Sequence, residues 1–280
     1  MKAEKGRDDF RPKKRSKLRM KAGSVYYTLT RHALWLKYRD IFAKRGISHT
    51  CEYLHFEHKS PLRRGLRGEE LKYQEGKIKN LSIAVPLINE AVIRPGQVFS
   101  YWQFVGKPDA SRGYTDGMVL NGGKVEPGIG GGLCQLSNLV YWLTLHTPLS
   151  VIERHRHGYD VFPDVSRTQP FGSGATCAYP YLDFMVRNYT GTTFKLEVWM
   201  DEDYLYGAWY SDAPPEFSYE IIEKNHEMRA ETFGGFSRHN EIWRLCRNET
   251  GDVVSEDLMA ENHAMMMYSP LIEEKSTKEE

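Results

Sequence analysis

The stretch GIGGGLCQLSNLVYWLTLH, residues 128–146, decides how the rest of the chain is read. Leu136, Leu139, Val140 and Leu143 recur at i, i+3, i+4 and i+7, the buried stripe of an amphipathic helix. Thr147-Pro148 ends that helix near His146, because a residue before proline is pushed out of the helical region. At the other end Gly130-Gly131-Gly132-Leu133 runs directly into Cys134, which therefore falls in the first helical turn. Residues 150–154 then read as a strand with His155 and His157 at its end. A helix with one apolar face needs a sheet to bury it. The stretch thus predicts an α+β fold: a central antiparallel sheet with the Gly-rich loop and the Cys-bearing helix packed against it.

Working outward, residues 77–93 place Leu81, Ala84, Val85, Ile88, Ala91 and Val92 on one helical stripe, which Pro86 should kink or loosen. Pro95-Gly96 marks a turn, residues 98–104 alternate as a strand edge, and residues 113–128 read as a strand pair turning at Asn121-Gly122-Gly123. Downstream, residues 181–187, 193–199 and 204–210 alternate with period two, and residues 219–225 with 241–247 suggest a further hairpin. Upstream, Leu29, Leu34, Leu36, Ile41 and Phe42 give residues 25–43 helical spacing, and residues 51–56 read as a strand or irregular segment. Five segments follow: a basic disordered arm over 1–24, a helical and irregular segment over 25–76, the domain holding the cysteine helix over 77–212, a β-rich extension over 213–272, and an acidic tail over 273–280.

Composition bounds the class. The 280 residues are 40% hydrophobic and 12% aromatic, enough to bury a sizeable core and too apolar for a disordered chain. The formal charge is +1, yet residues 1–22 hold ten Lys or Arg against three Asp or Glu, leaving −6 for the remainder. That basic arm suits a solvated tail, or contact with nucleic acid or the anionic surface of a membrane. No apolar run long enough for a secretory signal or a spanning helix is present, so a cytoplasmic protein, peripheral at most to the inner leaflet, is expected. Cys51, Cys134, Cys177 and Cys246 show no paired spacing, which argues against a disulfide framework or a zinc knuckle.

Chemistry points to Cys134. Helix-end amides favour a thiolate, and side-chain-free backbone at Gly130, Gly131 and Gly132 lets N–H groups approach an oxyanion. A histidine from the next strand can then move protons. Gln135 and Ser137 add polar contacts, and Arg154 could pair with a substrate carboxylate. Glycines before a helix equally serve close packing, and His155, His157 and Cys134 together resemble a zinc-ligand set without a fourth member. The residues therefore leave three classes open: a thiol acyl-transfer or amide-cleaving enzyme without a cofactor, a peptide-binding module, and a zinc hydrolase.

The same stretch, with RPGQVFSYWQFVGKP (94–108), GYTDGMVLNGGKV (113–125), ERHRHGYDVFPDV (153–165) and GSGATCAYPYLDFMVRN (172–188), resembles the VanW family, accessory proteins of some vancomycin-resistance clusters and their relatives. The resemblance spans residues 81–209 and marks 77–212 as a VanW-like domain. It implies a connection with peptidoglycan or its precursors and with glycopeptide resistance. Some secreted members are L,D-transpeptidases that use the motif cysteine, so the substrate implied is a peptide or wall precursor. Carried over, the nucleophile is Cys134 and the histidine is His157, while His155 stands where relatives hold other residues. Many relatives carry an aspartate where this chain has Gly174, which leaves Asp160, Asp164 or a main-chain carbonyl to orient the imidazole.

Overall fold

The computed structural model describes residues 16–46, 51–63, 70–121, 123–161 and 169–269. Its central sheet is antiparallel, in the order β1 (Lys44–Arg45), β3 (Ala91–Ile93), β10 (Phe194–Met200), β11 (Tyr204–Ser211) and β2 (Tyr53–Pro61). Alternation explains why it is one-sided. Phe194, Leu196 and Val198 of β10 and Leu205 and Trp209 of β11 are buried, whereas Lys195, Glu197 and Trp199 point outward. Two helices cover the apolar face: α2 (Glu70–Ile88) over β10, and α4 (Cys134–Leu145) over β2 and β11. Gly207 lets α4 come close, since a Cβ there would lie 2.8 Å from Leu143 Cδ1. Across the same contact Trp209 Nε1 donates to Thr144 Oγ1 at 3.2 Å.

Three smaller sheets complete the architecture. Strand β9 (Met185–Arg187) lies between β4 (Val98–Ser100) and β7 (Ser150–Glu153); β5 (Asp116–Asn121) pairs with β6 (Lys124–Ile129). The long strands β12 (Ser218–Ala230), β13 (Phe236–Arg247) and β14 (Val253–Met266) form an antiparallel meander, to which β8 (Tyr159–Asp160) adds in parallel. In the β5–β6 hairpin the Asn121↔Lys124 register leaves Gly122 and Gly123 as the turn, of which Gly122 is outside the described residues.

The α+β class and the central antiparallel sheet are as expected, but several local readings change. Helix α1 (Lys17–Tyr38) begins inside the stretch expected to be a loose arm, capped by Ser16, whose Oγ accepts from Arg19 N at 3.3 Å. The 98–104 alternation stops at Ser100, whose hydroxyl caps the short helix α3 (Tyr101–Val105) by accepting from Gln103 N at 3.2 Å. Strand β14 has no counterpart in the sequence reading. Its side chains are mostly exposed over the first half, so no apolar alternation announces it. Strands β1 and β2, from the 25–76 segment, sit in the same sheet as β10 and β11, so the two segments share one core. Residues 1–15 and the acidic tail lie outside the described residues. Among the described residues no helix is long and apolar enough to cross a membrane.

Candidate active site

The glycine loop is shaped first by packing. Gly131 lies against Gly117 of β5 so closely that a Cβ on it would stand 2.2 Å from the Gly117 carbonyl carbon. Gly130 and Gly132 adopt φ of 77° and 88°, a left-handed backbone that glycine accepts without strain. From α2, Asn80 Nδ2 donates to Gly131 O at 2.9 Å and to Thr115 O at 3.0 Å, while Asn80 Oδ1 accepts from Thr115 N at 2.9 Å. One buried amide thus ties hairpin, loop and helix together. The Gly131 N–H donates to Gly128 O at 2.9 Å and is already engaged, whereas no main-chain carbonyl among the described residues accepts from the N–H of Gly132 or Cys134.

Cys134 opens α4 as expected and is only partly exposed. Its Sγ lies 3.6 Å from Cys177 O, which brings a second thiol beside the first. Burial pushes the Cys134 thiol above its ordinary value and outweighs the backbone hydrogen bonds at Cys177 and Cys134 that favour the anion. The helix-start expectation of a ready thiolate is therefore reversed. Burial, reinforced by the neighbouring Cys134, raises Cys177 further. Ser137 Oγ donates to Ala175 O at 2.6 Å, and Asn138 Oδ1 accepts from Ala175 N at 2.8 Å, so the first turns of α4 hold the 172–178 segment over the thiols. Gly174 is needed there: a Cβ would meet Asn138 Oδ1 at 2.6 Å.

The histidines fall into different surroundings. His155 Nε2 meets Glu153 Oε1 at 2.8 Å, and its carbonyl accepts from Thr176 N at 2.8 Å, immediately before Cys177. Glu153 is in turn gripped by Arg31 of α1, with Nη1 to Oε2 at 2.7 Å and Nη2 to Oε1 closing a bidentate pair. Although burial acts in the opposite sense, the hydrogen bonds from His155 and Arg31 hold the Glu153 carboxyl at about 2. His157 is half-buried, with no hydrogen bond to Cys134, and burial together with Arg156 lowers its pKa, so its ring is neutral at pH 7. Behind this cluster, buried Asp183 accepts from Ser100 Oγ at 2.5 Å, from Trp35 Nε1 at 3.3 Å and from Trp102 N at 3.1 Å.

Other residues expected to face a ligand have internal partners. Arg154 Nε donates to Gly174 O at 2.9 Å and its Nη2 to Gly172 O, while the guanidinium covers the Tyr141 ring at 4.7 Å, so it braces the 172–174 turn. Gln135 Nε2 donates to Ser60 Oγ and Pro61 O, both at 2.9 Å, and pins α4 to β2. Asp160 pairs with Arg238 at 3.5 Å and accepts from Tyr268 Oη at 2.8 Å; Asp164 lies outside the described residues. Among the described residues no three His, Cys, Asp or Glu side chains, Cys134, His155 and His157 included, converge as a metal site. Sequence reasoning missed Glu153, Arg31 and Cys177. Glu153 was within reach of it, because side chains two apart on an extended strand share a face with His155.

A glycine-shaped loop that delivers a cysteine to the first turn of a sheet-packed helix characterises this α+β protein, and the chain belongs to the VanW-like family. The model for "VanW like protein" matches residues 76–210. The chain is similar to the vancomycin B-type resistance protein VanW of Enterococcus faecalis, 33% identical over 231 residues that cover 82% of this chain and 83% of that relative. It is also similar to the uncharacterized protein YoaR of Bacillus subtilis, 30% identical over 109 residues, 39% of this chain and 34% of the relative. No solved structure matches.

Proposed function

We propose that this protein is a thiol-dependent acyl-transfer or amide-cleaving enzyme that acts on a peptide or cell-wall precursor and serves glycopeptide resistance. The observation that carries the reading is Cys134, a partly exposed residue set beside two N–H groups, of Gly132 and Cys134, that have no main-chain acceptor among the described residues. The name of the Enterococcus faecalis relative supports the biological setting. In the reaction Cys134 Sγ attacks an amide carbonyl while an imidazole takes the thiol proton. The N–H groups of Gly132 and Cys134 hold the oxyanion, the imidazole returns the proton to the departing amine, and the thioester passes its acyl group to an acceptor amine or to water.

Family resemblance favours His157 as the proton carrier, and its neutral ring suits a base. Glu153 favours His155 instead, because a carboxylate fixes that ring's orientation. The test is labelling at neutral pH with a peptide-like electrophile that places an amide carbonyl against the N–H groups of Gly132 and Cys134, followed by peptide mapping. Preferential labelling of Cys134 is expected; an unreactive Cys134 with labelled Cys51 or Cys246 ends the proposal. A Cys134→Ser variant that retains turnover would leave a non-catalytic role for the thiol.

A further inference from the structure

We infer that helix α1 is a membrane-surface anchor that lays an exposed apolar stripe onto an anionic lipid bilayer. The helix is seated only near its C-terminal end. Arg31 reaches Glu153 at 2.7 Å and Tyr181 O at 2.8 Å, Trp35 Nε1 reaches Asp183 at 3.3 Å, and both side chains are buried. Between Ser16 and Thr30, by contrast, every side chain is exposed except Thr28, with Gly23 the other partly covered position. About four turns of helix therefore run free of the body, a length that is marginal in water without something to pack on.

The exposed face is ordered. At about 100° per residue, Leu18, Val25, Leu29 and Leu36 fall within a sector about 40° wide and extend over about 27 Å. They are 78%, 60%, 65% and 64% exposed, far more than an apolar row tolerates in solution. Lys17 and Lys21 border this row on one side and Arg19 and Lys37 on the other, and the helix holds no Asp or Glu. The sequence preceding it adds Arg11, Lys13, Lys14 and Arg15.

Charge decides the occupant. A second copy packed stripe to stripe would bring lysines and arginines together with no carboxylate on either helix, the reverse of what helix pairs place beside their seams. Nucleic acid would satisfy the cations and leave the leucines in water. An anionic bilayer satisfies both, taking the leucines among its acyl chains and the cations among its headgroups. The anchor also has a direction. Its seated end grips Glu153, the carboxylate that holds His155, so the cysteine loop would be presented at a bilayer surface. The inference stands on α1 alone and does not require Cys134 to be catalytic.

The test uses the full chain in sedimentation with vesicles of phosphatidylcholine, with or without about one-third phosphatidylglycerol. Binding to the anionic vesicles is expected, about tenfold or more weaker without phosphatidylglycerol and weakened by raised salt. The triple substitution Leu18→Asp, Val25→Asp, Leu29→Asp should weaken it about a hundredfold or more while leaving thermal unfolding unchanged, because these side chains are largely exposed in the fold. As a second variant, Lys17→Ala with Arg19→Ala and Lys21→Ala should reduce both binding and its salt dependence. Failure of the parent chain to sediment, or undiminished sedimentation of the aspartate variant, overturns the inference. So does a parent dimer in light scattering that the aspartate variant converts to monomer without vesicle binding, which would assign the stripe to a second copy.

Discussion

Replacing Glu153 by Gln tests the junction between α1 and the candidate site. In the folded protein Glu153 is 18% exposed and its carboxyl is held at about 2, against an ordinary value of 4.5. The sign follows from linkage: a carboxyl depressed on folding contributes stability that is full above 4.5 and is lost as pH falls toward 2. The span from 4.5 to about 2 corresponds to about 3 kcal/mol at pH 7, which we reduce to about 2 kcal/mol because one side of the pair retains solvent. Glutamine keeps the shape and removes the charge, leaving Arg31 buried beside a neutral amide. Urea unfolding of both proteins should therefore differ by about 2 kcal/mol or more at pH 7, and more than half of that difference should vanish by pH 3. A difference of the same size at both pH values, or none at pH 7, refutes the claim that charge pairing at Glu153 holds this corner together.

Gly131→Ala should cost about 3 kcal/mol or more, measured as a lowered unfolding midpoint, because its Cβ would fall 2.2 Å from the Gly117 backbone; Gly158→Ala, with nothing within 4 Å, should be tolerated. Alkylation of Cys134 followed against pH should move toward alkaline pH in whichever of His155→Gln and His157→Gln removes the proton acceptor, since burial leaves the isolated thiol above its ordinary value. A profile unchanged in both variants excludes both imidazoles. Residues 76–210 expressed alone should be insoluble or lack cooperative unfolding, because β11 would lose its pairing with β2 and Glu153 would lose Arg31.

What could be read from sequence was local. The i, i+3, i+4, i+7 row of Leu136, Leu139, Val140 and Leu143 fixes α4, and the alternation of Phe194, Leu196 and Val198 fixes β10, because burial on one face writes a period into the residues themselves. Contacts across long separations leave no such period. Arg31 meets Glu153 across 122 positions, and nothing near either residue announces the other. The C-terminal meander shows the same limit. Asn240 Nδ2 reaches Phe171 O at 2.7 Å and Asn262 Nδ2 reaches Asn240 Oδ1 at 2.8 Å, so strands read as a separate extension hold the turn that lies over the thiols. Position 134 was legible because glycines and a helix start coincide there; the protonation of its thiol was not, because that depends on what packs over it.

The reversal at Cys134 follows from magnitudes. A helix N-terminus stabilises an adjacent negative charge by about 0.3–1 kcal/mol, less than one tenfold step in acidity. Burial beneath a neighbouring segment can shift a thiol by several such steps, and here Cys177 and its carbonyl close one side of the sulfur. The resting thiol is accordingly protonated. His157 is also neutral at pH 7, so the site does not resemble a preformed thiolate–imidazolium pair. In the reaction we propose, attack would therefore require proton transfer in the same step as bond formation, with an amide carbonyl seated against the N–H groups of Gly132 and Cys134, from which no main-chain carbonyl among the described residues accepts. Under the proposed reaction such a centre would discriminate by geometry: a substrate that seats its carbonyl would be attacked, while a small electrophile that cannot use those N–H groups would meet a protonated sulfur.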